Sequence, residues 1–229
     1  MYTGLFVISI IFTFIGMLLS SQLKQRFERY SQMPNLQGLS GREVAERMLS
    51  YFGISDVQIV EGQGMLTDHY NPQTKTVSLS PEVYRGRSVA AAAVAAHECG
   101  HAVQHAEAYA ALQMRSALVP LVQISASIQQ YLFMFAFVAF GAFNNTFVLL
   151  VAIGAFLITA LFSLITLPVE FDASRRALVW LEHSGVTRGG EYEAAKDALW
   201  WAAMTYVAAA LAAVAQLLYL VIYFLNSRD

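Results

Sequence analysis

The sequence has a single cysteine, Cys99, five prolines in 229 residues, and charged side chains at only 13% of positions. One thiol excludes an intrachain disulfide and any thiolate-rich metal site. The scarcity of charge excludes an ordinary water-soluble domain, in which about twice that share is usual. A formal net charge of −2, with no cationic patch interleaved with aromatics, gives no sign of nucleic-acid binding. What fills the chain instead is apolar, since 57% of its residues are hydrophobic.

That apolar content is gathered into four stretches long enough to cross a bilayer: Tyr2 to Ser20, Ser116 to Phe143, Thr146 to Leu167 and Trp200 to Leu225. The first has no basic segment before it and no small-residue cleavage site after it, so it reads as a retained anchor. Basic residues set the orientation. With the N-terminus outside, Lys24, Arg26, Arg29, Arg42, Arg47, Lys75, Arg85, Arg87, Arg115, Arg175, Arg176, Arg188 and Lys196 all lie inside, and only Arg228 remains outside. Trp200, Trp201, Tyr219 and Tyr223 suit the interfacial belts of the last span. Gln123, Gln129 and Gln130 in the second span read as hydrogen bonds between helices, and with no ionisable group inside a span there is no case for a transporter.

The expected fold is therefore mainly α: a four-span integral membrane protein with a small cytoplasmic α+β domain. Its parts are an anchor at 2–20, a cytoplasmic part at 21–115, spans at 116–143 and 146–167, a cytoplasmic helix at 168–199, and a span at 200–225. Residues 21–39 read as a basic, polar connector. Ser40 and Glu43 form a capping box for a helix that Gly53 ends. Val57–Glu61 and Lys75–Ser80 are candidate short strands, separated by a turn-rich run at 62–74. Ser80-Pro81-Glu82 starts a helical turn ending near Gly86. Glu170 to His183 reads as a helix closed by Gly185, and Glu191 to Asp197 opens another that continues into the last span.

Chemistry is concentrated at His97-Glu98-Cys99-Gly100-His101, an H-E-x-x-H box. The flanking run Ser88 to Tyr109 has no proline and one glycine, and Ala91, Ala92, Ala93, Ala95 and Ala96 favour a helix whose small side chains admit close neighbours. On a helix, residues four apart share a face, so both imidazoles can grip one Zn²⁺. Glu98 beside them is placed to act as general base on a water molecule. Cys99 points away from that face and reads as a small buried thiol.

Such a site needs a third protein ligand. Glu107 has the spacing but no intervening glycine to turn the chain, and His105 shares a straight helix that cannot wrap three ligands around one ion. Glu170 is the better candidate, since the third stretch returns past Pro168 to the face that holds the box; Asp172 is the alternative. The oxyanion donor stays open among Arg175, Arg176, His69, His183 and Tyr192.

The segments Asp68-His69-Tyr70-Asn71-Pro72, Leu79-Ser80-Pro81-Glu82-Val83-Tyr84, Gly86-Arg87-Ser88-Val89-Ala90, the His box and Leu167-Pro168-Val169-Glu170-Phe171 resemble the YugP-like neutral zinc metallopeptidases of bacterial membranes. The resemblance covers most of the chain. A more distant similarity is to the HtpX-type and CAAX prenyl proteases, in which a Glu opening an E-x-x-x-D segment completes the zinc site. These resemblances imply a zincin-like metallopeptidase domain with Zn²⁺ on His97, His101 and Glu170 in a bacterial inner-membrane enzyme, and the basic residues put its site on the cytoplasmic side. Ser174 departs from the pattern, standing where those relatives carry Asp.

The expected reaction is hydrolysis of a peptide bond in a protein or peptide substrate, extended or membrane-associated, with Glu98 shuttling the proton. If Lys75–Ser80 is an edge strand, such a substrate adds to it. Bilayer lipid is an expected partner, nucleic acid is not, and a homo-oligomer is open. Rival readings are a zinc-stabilised scaffold, for which Glu98 has no use, and a zinc amide hydrolase with a non-protein substrate. An intramembrane protease ranks lower, because the box helix would load one span with polar groups.

Overall fold

The computed structural model describes residues 2–138 and 146–227. Four long helices carry most of the chain: α1 (Tyr2–Ser31), α5 (Ala110–Val138), α6 (Thr146–His183) and α7 (Gly190–Asn226). Between α1 and α5 lie α2 (Gly41–Tyr51), β1 (Gln58–Glu61), β2 (His69–Asn71), β3 (Thr76–Leu79), α3 (Pro81–Arg85) and α4 (Val89–Ala106). The chain divides into two compact units, one of residues 1–18, 114–167 and 205–229, the other of residues 19–113 and 168–204.

Among the described residues, three helices are long and apolar enough to cross a membrane: α1, α6 and α7. This corrects the expectation of four. The remaining stretch, 116–143, is covered by α5 only to Val138; Gln123, Gln129 and Gln130 interrupt its apolar run, and 139–143 lie outside the described residues, as does Arg228.

In the first unit, Leu5, Leu149, Ala152, Phe156 and Leu220 form the buried interior. Polar side chains tie its helices together: Gln129 donates to Thr159 Oγ1 at 2.7 Å and to the Ala155 carbonyl at 3.1 Å, and Gln216 donates to Ser9 at 3.1 Å. Phe6, Ile10, Phe14 and Met17 of α1 face outward and exposed, the disposition of a helix whose solvent is hydrocarbon.

The second unit is a small α+β body. Ser40 and Glu43 cap α2 reciprocally, with Glu43 N donating to Ser40 Oγ at 3.3 Å and Ser40 N to Glu43 Oε2 at 2.7 Å, an arrangement worth about 1 kcal/mol. Val44, Ala45 and Met48 of α2 then bury against the Ala-rich face of α4, where Ala90, Ala92, Ala93, Ala95 and Ala96 are wholly covered. The sheet order is β1-β3-β2, with β1 parallel and β2 antiparallel to β3. β3 alternates, burying Val77 and Leu79.

Three local expectations change. Residues 21–31 continue α1, because Phe27 and Tyr30 recur at helical spacing and are buried, while the Tyr30 hydroxyl donates to Asp197 at 2.7 Å. The turn-rich run contains β2, a strand too short for alternation to announce it. Asn71 Oδ1 accepts from Gln73 N and Thr74 N at 2.9 and 3.3 Å, and the turn returns the chain antiparallel into β3. β3 is therefore the central strand, not an edge. Finally, α6 does not stop at Leu167 but runs through Pro168 to His183.

Candidate metal centre

Helix α4 opens on Ser88, whose hydroxyl accepts from Ala91 N at 3.1 Å, and stays regular to Ala106. His97 and His101 thus project one turn apart, their rings 4.8 Å centre to centre and nearly perpendicular. Glu170 of α6 meets them: its Oε2 lies 3.3 Å from His97 Nε2 and 3.7 Å from His101 Nε2. One ligand atom from each of the three residues falls within 4.8 Å of the others. Glu98 is adjacent and buried.

Gly100 makes this meeting geometrically possible. A Cβ there would stand 2.7 Å from the Ala173 carbonyl oxygen and 3.1 Å from its Cα, so α4 and α6 touch backbone to backbone beside the ligands.

The outer nitrogen of each imidazole is fixed. His101 Nδ1 lies 3.0 Å from Gln104 Oε1, while Gln104 Nε2 donates to the Val169 carbonyl at 2.8 Å and to Asp172 Oδ2 at 2.9 Å. Because two acceptors hold the amide nitrogen, the Gln104 oxygen must face His101, and Nδ1 must carry the proton. That leaves the Nε2 lone pair directed at the cluster. His97 Nδ1 lies 3.1 Å from Ser174 Oγ, which can accept its proton in the same way. Ser174 therefore does stand against the metal-site histidine, in the place where Asp is expected.

Two imidazole Nε2 atoms and a carboxylate, with both imidazoles oriented from behind, match the donor set of a catalytic zinc site. Glu170 is only 2% exposed, and a carboxylate this buried requires cationic partners. The donor chemistry fits Zn²⁺.

The other candidates go elsewhere. His105 Nδ1 pairs with the Tyr70 hydroxyl at 2.8 Å, and Glu107 accepts from Arg176 at 2.6 Å. Asp172 accepts from Arg175 and from Arg176, the latter at 2.5 Å, as well as from Gln104. Both arginines named as oxyanion donors are thereby engaged with carboxylates. His69 Nδ1 lies 2.8 Å from the Thr67 carbonyl on the exposed sheet edge, and the His183 ring sits 6.1 Å from that of Tyr51. Tyr192 is half-buried near the start of α7. Cys99 is wholly buried against the Ala45 carbonyl at 3.7 Å, and burial pushes its thiol far up from the usual range.

Two further residues near the site, Gln104 and Asp68, carry only faint signals in the sequence. Gln104 is polar on an Ala-rich helix, one turn minus one residue past His101, and that spacing is its signal. Asp68 precedes β2 and accepts from Ser80 N at 2.7 Å and from Ser80 Oγ at 3.1 Å. Its carboxyl is raised above the ordinary value, first by burial and in part by the negative charge of Glu98, against the lowering effect of the Ser80 bonds. Only its place in the Asp68–Pro72 segment hinted at this.

Residues 5–225 match a family model described as "Putative neutral zinc metallopeptidase". The chain is also 42% identical over 210 residues to a protein of Bacillus subtilis (strain 168) named "Putative membrane protease YugP", a similarity covering 91% of each chain. No solved structure matches. With a family model spanning nearly its whole length and a relative this similar, the chain belongs to the neutral zinc metallopeptidase family.

Proposed function

We propose that this protein is a membrane-anchored zinc endopeptidase that cleaves peptide bonds at the cytoplasmic face of the bacterial inner membrane. The carrying observation is Glu170 Oε2 at 3.3 and 3.7 Å from the Nε2 atoms of His97 and His101, with Glu98 alongside. Zinc held by His97, His101 and Glu170 would supply Lewis acidity and make water a competent nucleophile near neutral pH. Glu98 takes the proton from that water and returns it to the departing amine, so one carboxylate serves as base and then as acid. Gln104 and Ser174 hold the two imidazoles in the tautomer and rotation that direct Nε2 inward.

An extended substrate would add to β2, the strand that borders β3 and lies against α4, since β3 itself is paired on both sides. Tyr70 on that strand faces His105 of α4, while His69 is exposed. Cytoplasmic placement rests on the positive-inside rule applied to the basic residues of 21–115 and 168–199, stretches that fall largely in one compact unit.

The test is zinc content together with cleavage of a disordered protein by the full chain in detergent or nanodiscs. Wild type should bind one zinc and cleave, Glu170→Ala should lose the metal, and Glu98→Gln should keep it without turnover. A zinc-loaded wild type that splits small amides and leaves protein intact would replace the peptidase reading with that of a non-protein amide hydrolase.

A further inference from the structure

We propose that a cavity at the N-terminal end of α4 is a subsite for a basic side chain of the substrate, arginine or lysine, with Glu82 as the residue that selects it. On the peptidase reading, on which this assignment rests, a preferred substrate carries a cation at a distance from the cleaved bond. The cavity has a volume of about 470 Å³. Every residue lining it belongs to the unit of residues 19–113 and 168–204, the one that contains His97, His101 and Glu170.

Two contacts of α4 fix its place relative to the metal centre. Met65 and Leu66 share the cavity wall with Ser88, which caps the start of that helix. Four residues after Leu66, the Tyr70 hydroxyl meets His105 Nδ1 near the helix's other end, at 2.8 Å. The chain from Leu66 through β2 thus runs alongside α4 in the same direction, and a peptide added to β2 leads from the histidines to the cavity. Ser88 stands nine residues before His97, about 14 Å at 1.5 Å per residue. An extended peptide covers that distance in about four residues, so the cavity receives a side chain about four positions from the scissile bond.

Charge decides which side chain that is. Phe27, Pro34, Met65 and Leu66 supply apolar wall. Of the four charged residues around it, three are engaged: Lys24 pairs with Glu28 at 3.9 Å, and Arg87 binds Glu43 at 3.0 Å and the Gly38 carbonyl. Glu82, in the first turn of α3, is exposed and has no hydrogen bond or ion pair among the described residues. An uncompensated carboxylate beside apolar wall suits a side chain with an aliphatic stem and a cationic head. An acidic side chain would meet Glu82 with like charge, and a purely aliphatic one would leave it unpaired.

The test uses the zinc-loaded full chain in detergent. In the Glu98→Gln background, fluorescence anisotropy follows a labelled peptide of Ala, Ser and Val with one Arg, and its counterpart with neutral citrulline in that place. The Arg peptide should bind about threefold more tightly or better, Glu82→Gln should remove the difference, and Glu82→Lys should reverse it. Equal affinities, or a difference that survives both substitutions, would overturn the proposal. In the active enzyme, cuts in a disordered protein mapped by mass spectrometry should show Arg or Lys enriched about three to five residues from the scissile bond. Enrichment only next to that bond would place the preference elsewhere and overturn the proposal as well. The anisotropy requires no turnover, so a wild type that cleaves nothing would sink the peptidase reading while the binding result still decides whether Glu82 selects a cation.

Discussion

Gly100 and Ala173 touch through their backbones, and this contact sets the distance between the paired imidazoles and Glu170. A methyl group at Gly100 would meet the Ala173 carbonyl oxygen at 2.7 Å, and backbone on both sides leaves nothing flexible to yield. Gly100→Ala should therefore displace α6, cost about 1–3 kcal/mol of stability and weaken zinc binding by roughly tenfold or more. Chelator competition and thermal unfolding of the purified protein measure both effects, and unchanged zinc affinity would show that the close approach does not control the site.

Gln104 is the hub behind His101, with its oxygen toward the ring and its nitrogen shared between Val169 and Asp172. Gln104→Leu keeps most of the volume but leaves Nδ1–H and the Val169 carbonyl without this partner. Zinc affinity should fall by about 10–100-fold while zinc stoichiometry at saturation remains one. Isothermal titration of the metal-free protein separates affinity from stoichiometry.

Ser174 supports His97 with a neutral hydroxyl at 3.1 Å. Ser174→Asp should strengthen the hydrogen bond at Nδ1 and tighten zinc, because a charged acceptor makes a stronger bond than a neutral one. Ser174→Ala should loosen it by about tenfold. If both variants bind zinc as wild type does, the hydroxyl is an incidental neighbour.

Much of this arrangement could be read from residue order, and the failures share a cause. The capped helix α2, the turn at Pro81 and the helix of the His box announce themselves through local signals: Ser40 with Glu43, proline at a first turn, and an alanine run. Glu170 could be placed with the histidines because topology returned the chain to them. What local signals could not give was the outcome of competition with tertiary contacts. Pro168 disfavours helix by about 3 kcal/mol, yet buried Val169, Glu170 and Ala173 are packed on α4 and the helix continues through it. Charge made 21–31 resemble a connector, although Phe27 and Tyr30 anchor it as helix. β2 is only three residues long, so its status depends on β3 rather than on its own pattern.

Glu98 tests the division between holding metal and moving protons. Glu98→Gln preserves size and removes basicity, so zinc content should be unchanged while kcat falls by about 10²–10⁴. Glu98→Asp, which retains basicity but withdraws it by a methylene, should recover part of that loss. Equal activity of the Gln variant and wild type would remove Glu98 from the mechanism.

Asp68 links pH to stability through its raised carboxyl. A group whose folded pKa lies above its unfolded value contributes stability that is fully present below the unfolded value, about 3.8, and is lost as pH rises through the folded one. Above that range, the ionised carboxylate is retained against burial and the charge of Glu98. Asp68→Asn keeps an oxygen for Ser80 N but cannot ionise. Its melting temperature relative to wild type should therefore rise as pH increases above about 4 and level off once Asp68 has lost its proton. A difference independent of pH would show that Asp68 titrates alike in the folded and unfolded chains, and a difference that shrinks with rising pH would mean that the Ser80 bonds, rather than burial, dominate the carboxyl.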